Sequence, residues 1–129
     1  TYDRDSYGLL VKSLNLLSKN YIALNDHSEN VDVFLFHTGD FDDRDIDVLE
    51  PMLGGSRKGM LKLVNLDGSV YWTLPPWHAK DNQSHWTASD IFPLGYRHMC
   101  RWFGINIWRF FEELNSQLGC NYRHILRID

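Results

Sequence analysis

Short apolar runs alternate with segments of helical period along this chain, and this alternation limits the folds that it can adopt. Two short runs, within residues 31–37 and 60–65, are predicted to be buried strands. A helix is predicted between them from Asp42 to Leu53, with Gly54 and Gly55 ending it. An earlier amphipathic helix, with Ser6 as its N-cap, is predicted from apolar residues spaced by four and three: Leu10, Leu14, Leu17, Tyr21 and Leu24.

The second half of the sequence continues this order after a longer interruption. Residues Val70 to Phe92 show no period and are typical of a functional loop or cover, because plain connections are shorter. Helix is predicted to resume at about Leu94 and to run to Leu118, with Gly104 as a candidate break. Tyr122 to Ile128 is predicted to form a last strand. Helices that alternate with strands imply a mostly parallel sheet covered on both faces. The predicted fold is therefore a three-layer α/β/α arrangement.

The predicted sheet has one edge at which ligands are expected. In parallel α/β sheets, ligands bind beyond the carboxyl ends of the strands. The segments 31–37, 60–65 and 122–128 are predicted to be neighbouring strands, so the residues that follow them share this edge. These residues are His37 to Asp40, Leu66 to Ser69 and Asp129, together with the opening segment around Arg4, which is predicted to be a loop.

Composition and charge narrow the class of protein. The chain has 129 residues, of which 43% are hydrophobic, so residues 1–129 are predicted to form a single domain with its own core. The net charge of -4 at pH 7 argues against a nucleic-acid partner, which requires a basic face. No run of about 18 apolar residues is present to span a membrane. Because the chain stops on Asp129 directly after an apolar run, we expect it to be a piece of a larger protein.

The most specific string of residues opens the helix predicted near Leu94. It reads Tyr96-Arg97-His98-Met99-Cys100-Arg101, followed by two aromatic residues. Arg97 and Arg101 are one helical turn apart and share a face, whereas Cys100 and Phe103 follow Tyr96 at four and seven residues. Without further information, this pattern fits a partly buried amphipathic helix as well as a site that presents a hydroxyl and two guanidinium groups.

A second string, Arg127-Ile128-Asp129, ends the last predicted strand. Taken together, the two strings resemble the fungal-type α-1,2-mannosyltransferases of glycosyltransferase family 15. In that family a Tyr-Arg-His-Met-Cys-Arg-Phe-like helix precedes a strand that ends in Arg-Val-Glu-Pro-Asp. The resemblance is strongest at residues 93–103 and 122–129 and patchy elsewhere. It implies the nucleotide-binding half of a glycosyltransferase-A fold, which this chain contains incompletely.

The resemblance also implies an activity and a cellular setting. Members transfer mannose from GDP-mannose to the 2-hydroxyl of an acceptor mannoside, with retention of configuration, in protein glycosylation. The partners implied are a nucleotide-sugar donor and a glycan acceptor, and the cofactor implied is Mn²⁺. The full-length protein is then expected in the Golgi lumen as a type II membrane protein, anchored by a segment absent from this chain.

Site residues follow from the resemblance position by position. Tyr96, Arg97, Arg127 and Arg4 are expected to bind the nucleotide sugar. Asp129 is expected to bind the metal, as the first carboxylate of the family's Glu-Pro-Asp, and the remaining two positions lie beyond the chain. The family's catalytic residue lies further downstream, so no catalytic residue is assigned and this chain alone is expected to be inactive.

Three more patterns could indicate metal ions or a disulfide, but a plain structural role is favoured for each. The acidic run from Asp40 to Asp47 lacks the Gly and Glu of a calcium-binding EF-hand loop at the required positions, and acids suit a helix N-terminus. His78 and His85 have no third ligand at zinc spacing, so a packed or acceptor-facing loop is favoured. Two separate buried thiols are favoured over a disulfide for the pair Cys100 and Cys120.

Two further classes of protein stay open at this point. The chain could belong to a transferase that uses another nucleotide sugar. It could also be a non-catalytic α/β module whose aromatic loop binds a glycan or a protein. A second carboxylate within two residues after Asp129 would favour the enzyme.

Overall fold

A computed structural model of the chain describes residues 4–25, 30–54, 57–73 and 94–128. These residues fall into two compact units, one up to Leu66 and the other from Asp67 to Arg127. The first contains helix α1 (Arg4–Leu17) with a π-helical turn (Ser18–Ile22), strand β1 (Val33–His37), helix α2 (Asp43–Leu49) with a 3-10 turn (Glu50–Leu53), and strand β2 (Leu61–Asn65). The second contains helix α3 (Leu94–Arg101), a π-helical turn (Trp102–Asn106) and helix α4 (Ile107–Leu118). No helix in the described part of the chain is long and apolar enough to cross a membrane.

Strands β1 and β2 pair in parallel, in register from Val33 opposite Leu61 to His37 opposite Asn65. Backbone hydrogen bonds continue the pairing at both ends, from Val33 N to Met60 O at 2.8 Å and from Leu66 N to His37 O at 2.7 Å. Parallel strands need a crossover connection, which here contains α2. The α/β class and the predicted pairing of these two segments are confirmed.

The core of the first unit lies between this strand pair and its helices. Its side chains come from α1 and the turn after it, from α2 and the turn after it, and from the start of β2. They are Leu14, Ile22, Leu49, Leu53, Met60 and Leu61. Leu10, Leu17, Val33 and Leu35 pack against this cluster, so the first helix and the strand pair contribute side chains to one core.

The predicted apolar face of the first helix is correct for its first half and wrong for its second half. The π-helical turn Ser18–Ile22 accommodates an additional residue, which rotates all later side chains relative to an ideal helix. As a result Ile22 is buried, whereas Tyr21 and Leu24 are exposed. The sequence period alone does not reveal this shift.

The segment predicted as a helix from Asp42 to Leu53 is formed by α2 and the 3-10 turn that follows it. The Asp42 side chain accepts a hydrogen bond from Arg44 N at 2.8 Å, and Asp45 accepts one from Asp42 N at 2.7 Å, which forms a capping box. At the other end Gly54 has a φ of 60°, the left-handed conformation that glycine adopts without strain. The acidic run therefore caps a helix, as expected.

Two predicted boundaries are wrong. Helix α1 already includes Arg4, so Arg4 lies in a helix rather than in a loop, and Ser6 is not an N-cap. The predicted strand 122–128 is absent, since the described residues 119–128 contain no regular secondary structure. Tyr122 N instead donates to Asn115 Oδ1 of α4 at 3.0 Å, and the Tyr122 ring contacts Phe111 edge-on at 5.8 Å. Side-chain contacts with α4 thus replace the expected strand pairing.

Candidate functional site

Tyr96 lies in the first turn of α3, as predicted, and its side chain is 43% exposed. A hydrogen bond to the thiol of Cys100, one turn further along, raises the pKa of the Tyr96 hydroxyl. A raised pKa favours the neutral hydroxyl as donor, and sulfur is only a weak acceptor. The hydroxyl can therefore exchange the thiol for a stronger acceptor, such as a phosphate oxygen, at little cost.

Arg127 contacts the same helical segment. Its guanidinium carbon lies 3.8 Å from the centre of the Phe103 ring, in cation–π geometry. Phe103 lies in the π-helical turn that continues α3. Arg127 therefore contacts the same continuous helical segment that carries Tyr96.

The paired arginines of α3 have different surroundings. Arg101 Nη1 donates to the carbonyl oxygen of Thr73 at 2.8 Å, so this guanidinium holds the backbone at the end of the segment Tyr71–Thr73. Arg97 is half-buried. Between them His98 packs against Trp72, with ring centres 5.6 Å apart. Burial, assisted by the nearby Arg101 charge, lowers the pKa of His98.

A second set of contacts joins the segment Tyr71–Thr73 to α4. The Tyr71 hydroxyl donates to the carboxylate of Glu113, which also accepts from Arg109 Nε at 2.8 Å. Asn106, which is buried in the π-helical turn, donates from Nδ2 to the Tyr71 carbonyl at 2.7 Å. Burial and the bond to Glu113 raise the pKa of Tyr71 to about 12, and the bonds from Tyr71 and Arg109 lower the pKa of Glu113.

This network predicts how stability depends on pH. A lowered folded-state pKa of Glu113 stabilises the fold above the ordinary value of 4.5, and this contribution is lost as pH falls through the lower, folded value. The raised pKa of Tyr71 stabilises the fold below the ordinary value of 10.0, and this contribution is lost as pH rises through about 12.

We expect Tyr71→Phe to reduce the loss of stability at low pH and the loss at high pH, because it removes the hydroxyl and keeps the ring in place. Chemical denaturation of wild type and variant across pH measures the effect, and phenolate absorbance follows the tyrosine titration. The expected result is that one tyrosine with a high pKa disappears from the titration of the variant. Disappearance of a tyrosine that titrates near the ordinary pKa of 10.0 would contradict the assignment. Tyr7→Phe serves as the control for removal of a phenol elsewhere.

Several predicted site residues cannot be placed in this way. Asp129, His78 and His85 lie outside the described residues, and for Arg4 the backbone alone is described. Among the residues that the structure describes, no three His, Cys, Asp or Glu side chains are close enough to hold a metal ion. The metal-binding role of Asp129 therefore stays a prediction.

In the first unit, further polar residues lie at the carboxyl ends of the two strands, where the sequence predicted a ligand edge. His37 and Asn65 end the two strands opposite each other. The Thr38 hydroxyl donates to an Asp40 carboxylate oxygen at 3.4 Å, so Asp40 is held within the loop after β1.

The two cysteines are free, as favoured from the sequence, but they are not buried. Cys100 is exposed and Cys120 is half-buried. The thiol of Cys100 lies on the helix face that carries Tyr96, which explains its effect on that hydroxyl.

The sequence did not indicate three polar residues that organise these regions: Tyr71, Asn106 and Glu113. Tyr71 and Glu113 are 42 residues apart, and no local pattern predicts such a pair. Asn106 had one available signal, because a polar residue in a predicted apolar helix often has a buried partner. His37 was included in the predicted ligand edge without a defined role.

Comparison with known proteins adds no relative: no family model matches the chain, and neither a curated protein nor a solved structure does.

Proposed function

We propose that this chain is the donor-binding part of a glycosyltransferase that transfers mannose from GDP-mannose to an acceptor mannoside. The proposed fold of the whole domain is of the glycosyltransferase-A type, and the proposed setting is the Golgi lumen. The observation that supports this most is the 3.8 Å contact between Arg127 and Phe103. Through it, the two segments that carry the resemblance to family 15 meet on one helix.

In this proposal the residues of α3 bind and orient the donor. The Tyr96 hydroxyl donates to the sugar or to a phosphate oxygen, and its 43% exposure leaves it accessible. Arg97 and Arg127 supply positive charge for the diphosphate, which guanidinium groups bind through paired hydrogen bonds. Arg4 is included by resemblance, and it lies in α1 where the resemblance implies a loop.

A divalent cation fits the chemistry of the residues at the chain end. Carboxylate oxygen is a hard ligand suited to Mn²⁺, and Asp129 is the residue that would hold it. When bound, such an ion neutralises charge that develops on the leaving diphosphate. Arg127, two residues earlier, would then add a fixed positive charge beside the same group.

The test is Tyr96→Phe in the full-length protein, measured as GDP-mannose affinity and turnover in Mn²⁺. A lost hydrogen bond to a charged group is worth about 1.5–3 kcal/mol, so we expect a decrease of about ten- to a hundredfold. The thermal midpoint should barely change, because the ring is retained and the thiol that accepts from the hydroxyl is a weak acceptor. The matched control is Tyr21→Phe, whose side chain is 42% exposed and lies in the first unit.

Two outcomes separate the possible roles of Tyr96. Normal turnover with a lowered thermal midpoint would show that Tyr96 is a packing residue and would contradict the proposal. Binding of a different nucleotide sugar, lost in Tyr96→Phe, would keep the site and change the donor. A nucleotide-sugar screen on the wild-type protein distinguishes these donors directly.

A non-catalytic binding module is the second candidate, and one observation favours it. Ile105 and Trp108 are both largely exposed, one turn apart on the π-helical turn and α4. Exposed aromatic rings bind sugar rings and protein surfaces. This alternative predicts that Trp108→Ala weakens glycan binding whereas Tyr96→Phe has no effect on any nucleotide.

A further inference from the structure

His37 is a buried polar residue at the last position of β1. Its backbone is fixed by the sheet, since its carbonyl accepts from Leu66 N at 2.7 Å. Its ring packs edge-on against Phe41, with centres 5.4 Å apart and planes at 85°. Both the main chain and the imidazole of His37 are therefore held in place at the carboxyl end of the sheet.

The imidazole accepts two backbone hydrogen bonds at one nitrogen. Nδ1 lies 3.2 Å from Gly39 N and 3.3 Å from Phe41 N. Gly39 has a φ of 91°, which glycine adopts without strain, and this turns the loop back so that both N–H groups reach the same atom. A nitrogen that accepts carries no proton, so the neutral ring has its proton on Nε2.

We propose that His37 is an acid-sensitive clasp for the loop Thr38–Asp42. Protonation of Nδ1 replaces the acceptor with an N–H that faces two other N–H groups, so both hydrogen bonds are lost. The loop then detaches from the imidazole, and the edge of the sheet where α/β proteins bind ligands changes shape.

The charged groups of the neighbouring segments do not replace these bonds. In the loop, the Asp40 carboxylate accepts from Thr38, and Asp42 is held by Arg44 and by the capping box. Strand β2 presents the uncharged Asn65 opposite His37, and the acid Asp67 follows two residues later. A nearby carboxylate can attract an imidazolium, but it cannot restore an acceptor to the N–H groups of Gly39 and Phe41.

The experiment is nuclear magnetic resonance of the 129-residue chain between pH 8 and pH 4. Long-range imidazole correlations identify the tautomer, and amide exchange, corrected for its intrinsic pH dependence, reports the loop. We expect the Nε2–H tautomer at pH 8. On acidification the protection of the Gly39 and Phe41 amides should fall by about tenfold or more, as for local opening. The amide of Val64 in β2, which the parallel register places in hydrogen-bonding position to β1, should keep its protection over the same range.

Two variants make the test specific. His37→Asn retains an acceptor, because the Asn Oδ1 can bond the N–H two residues later, but it does not titrate. Its loop amides should therefore stay protected at all these pH values. His124→Asn removes an exposed histidine and should respond as wild type does. An Nδ1–H tautomer at pH 8, or an equal acid response in His37→Asn, would overturn the proposal.

Discussion

Trp102→Ala is expected to lower the free energy of unfolding of the second unit by about 3–5 kcal/mol, the range for removal of a buried large aromatic side chain. Trp102 is only 1% exposed. Its ring makes edge contacts with Tyr71 and Phe110, each with centres 5.8 Å apart. Removing the indole leaves a cavity where the segment that begins at Tyr71 packs against the helices, so the Tyr71–Glu113 hydrogen bond should weaken as well.

Trp108→Ala is the matched control, because it removes the same side chain from a position that is 61% exposed. A surface substitution of this kind is expected to change stability by no more than about 0.5 kcal/mol. Urea denaturation followed by circular dichroism measures both variants against wild type. Equal losses for the two tryptophans would contradict the assignment of Trp102 to the core of the second unit.

The first unit could largely be predicted from its sequence because its signals are local. The two apolar runs are short and are separated by a helix with an acidic cap and a left-handed glycine at its end. These features determine a β–α–β connection through neighbouring residues. The error at Tyr21 arose because a π-helical turn depends on packing around Ser18–Ile22 and leaves no mark on the spacing of apolar residues.

The last predicted strand failed for a different reason. Residues 122–128 have strand-like composition, but composition does not determine what a segment packs against. The five residue steps from Tyr122 to Arg127 span about 17 Å in an extended chain, and the twelve steps from Phe103 to Asn115 span about 18 Å along a helix. The segment can therefore lie along the helices, with Tyr122 bonded to Asn115 and Arg127 over Phe103. These contacts depend on individual side chains, and the spacing of apolar residues does not reveal them.

In the candidate site too, contacts between residues close in sequence could be predicted, whereas contacts between residues far apart in sequence could not. The position of Tyr96 in a first helical turn follows from the residues around it. Its bond to Cys100 also follows from a spacing of four. The contact of Arg127 with Phe103 joins residues 24 positions apart, and no local pattern in the sequence indicates it. The clasp formed by His37 depends on a turn that only the positive φ of Gly39 makes possible.

Leu49→Ala is the corresponding test of the first unit, with an expected loss of about 2–5 kcal/mol in unfolding free energy. Leu49 is 0% exposed and belongs to the cluster that contains Leu53 and Met60. It lies on the connection between the two strands, so the cavity would loosen the packing of α2 on the sheet. The upper part of the range is expected, because buried neighbours on several elements limit how far the site can collapse.

Leu16→Ala provides the control, since it removes the same three carbons from an exposed position of α1. Alanine has the higher helix propensity, so this substitution should leave stability within about 0.5 kcal/mol of wild type. Thermal and urea denaturation of both variants measure the difference. A loss of similar size in Leu16→Ala would mean that the exposed side of α1 is covered in solution, and the core would then have to be extended to that face.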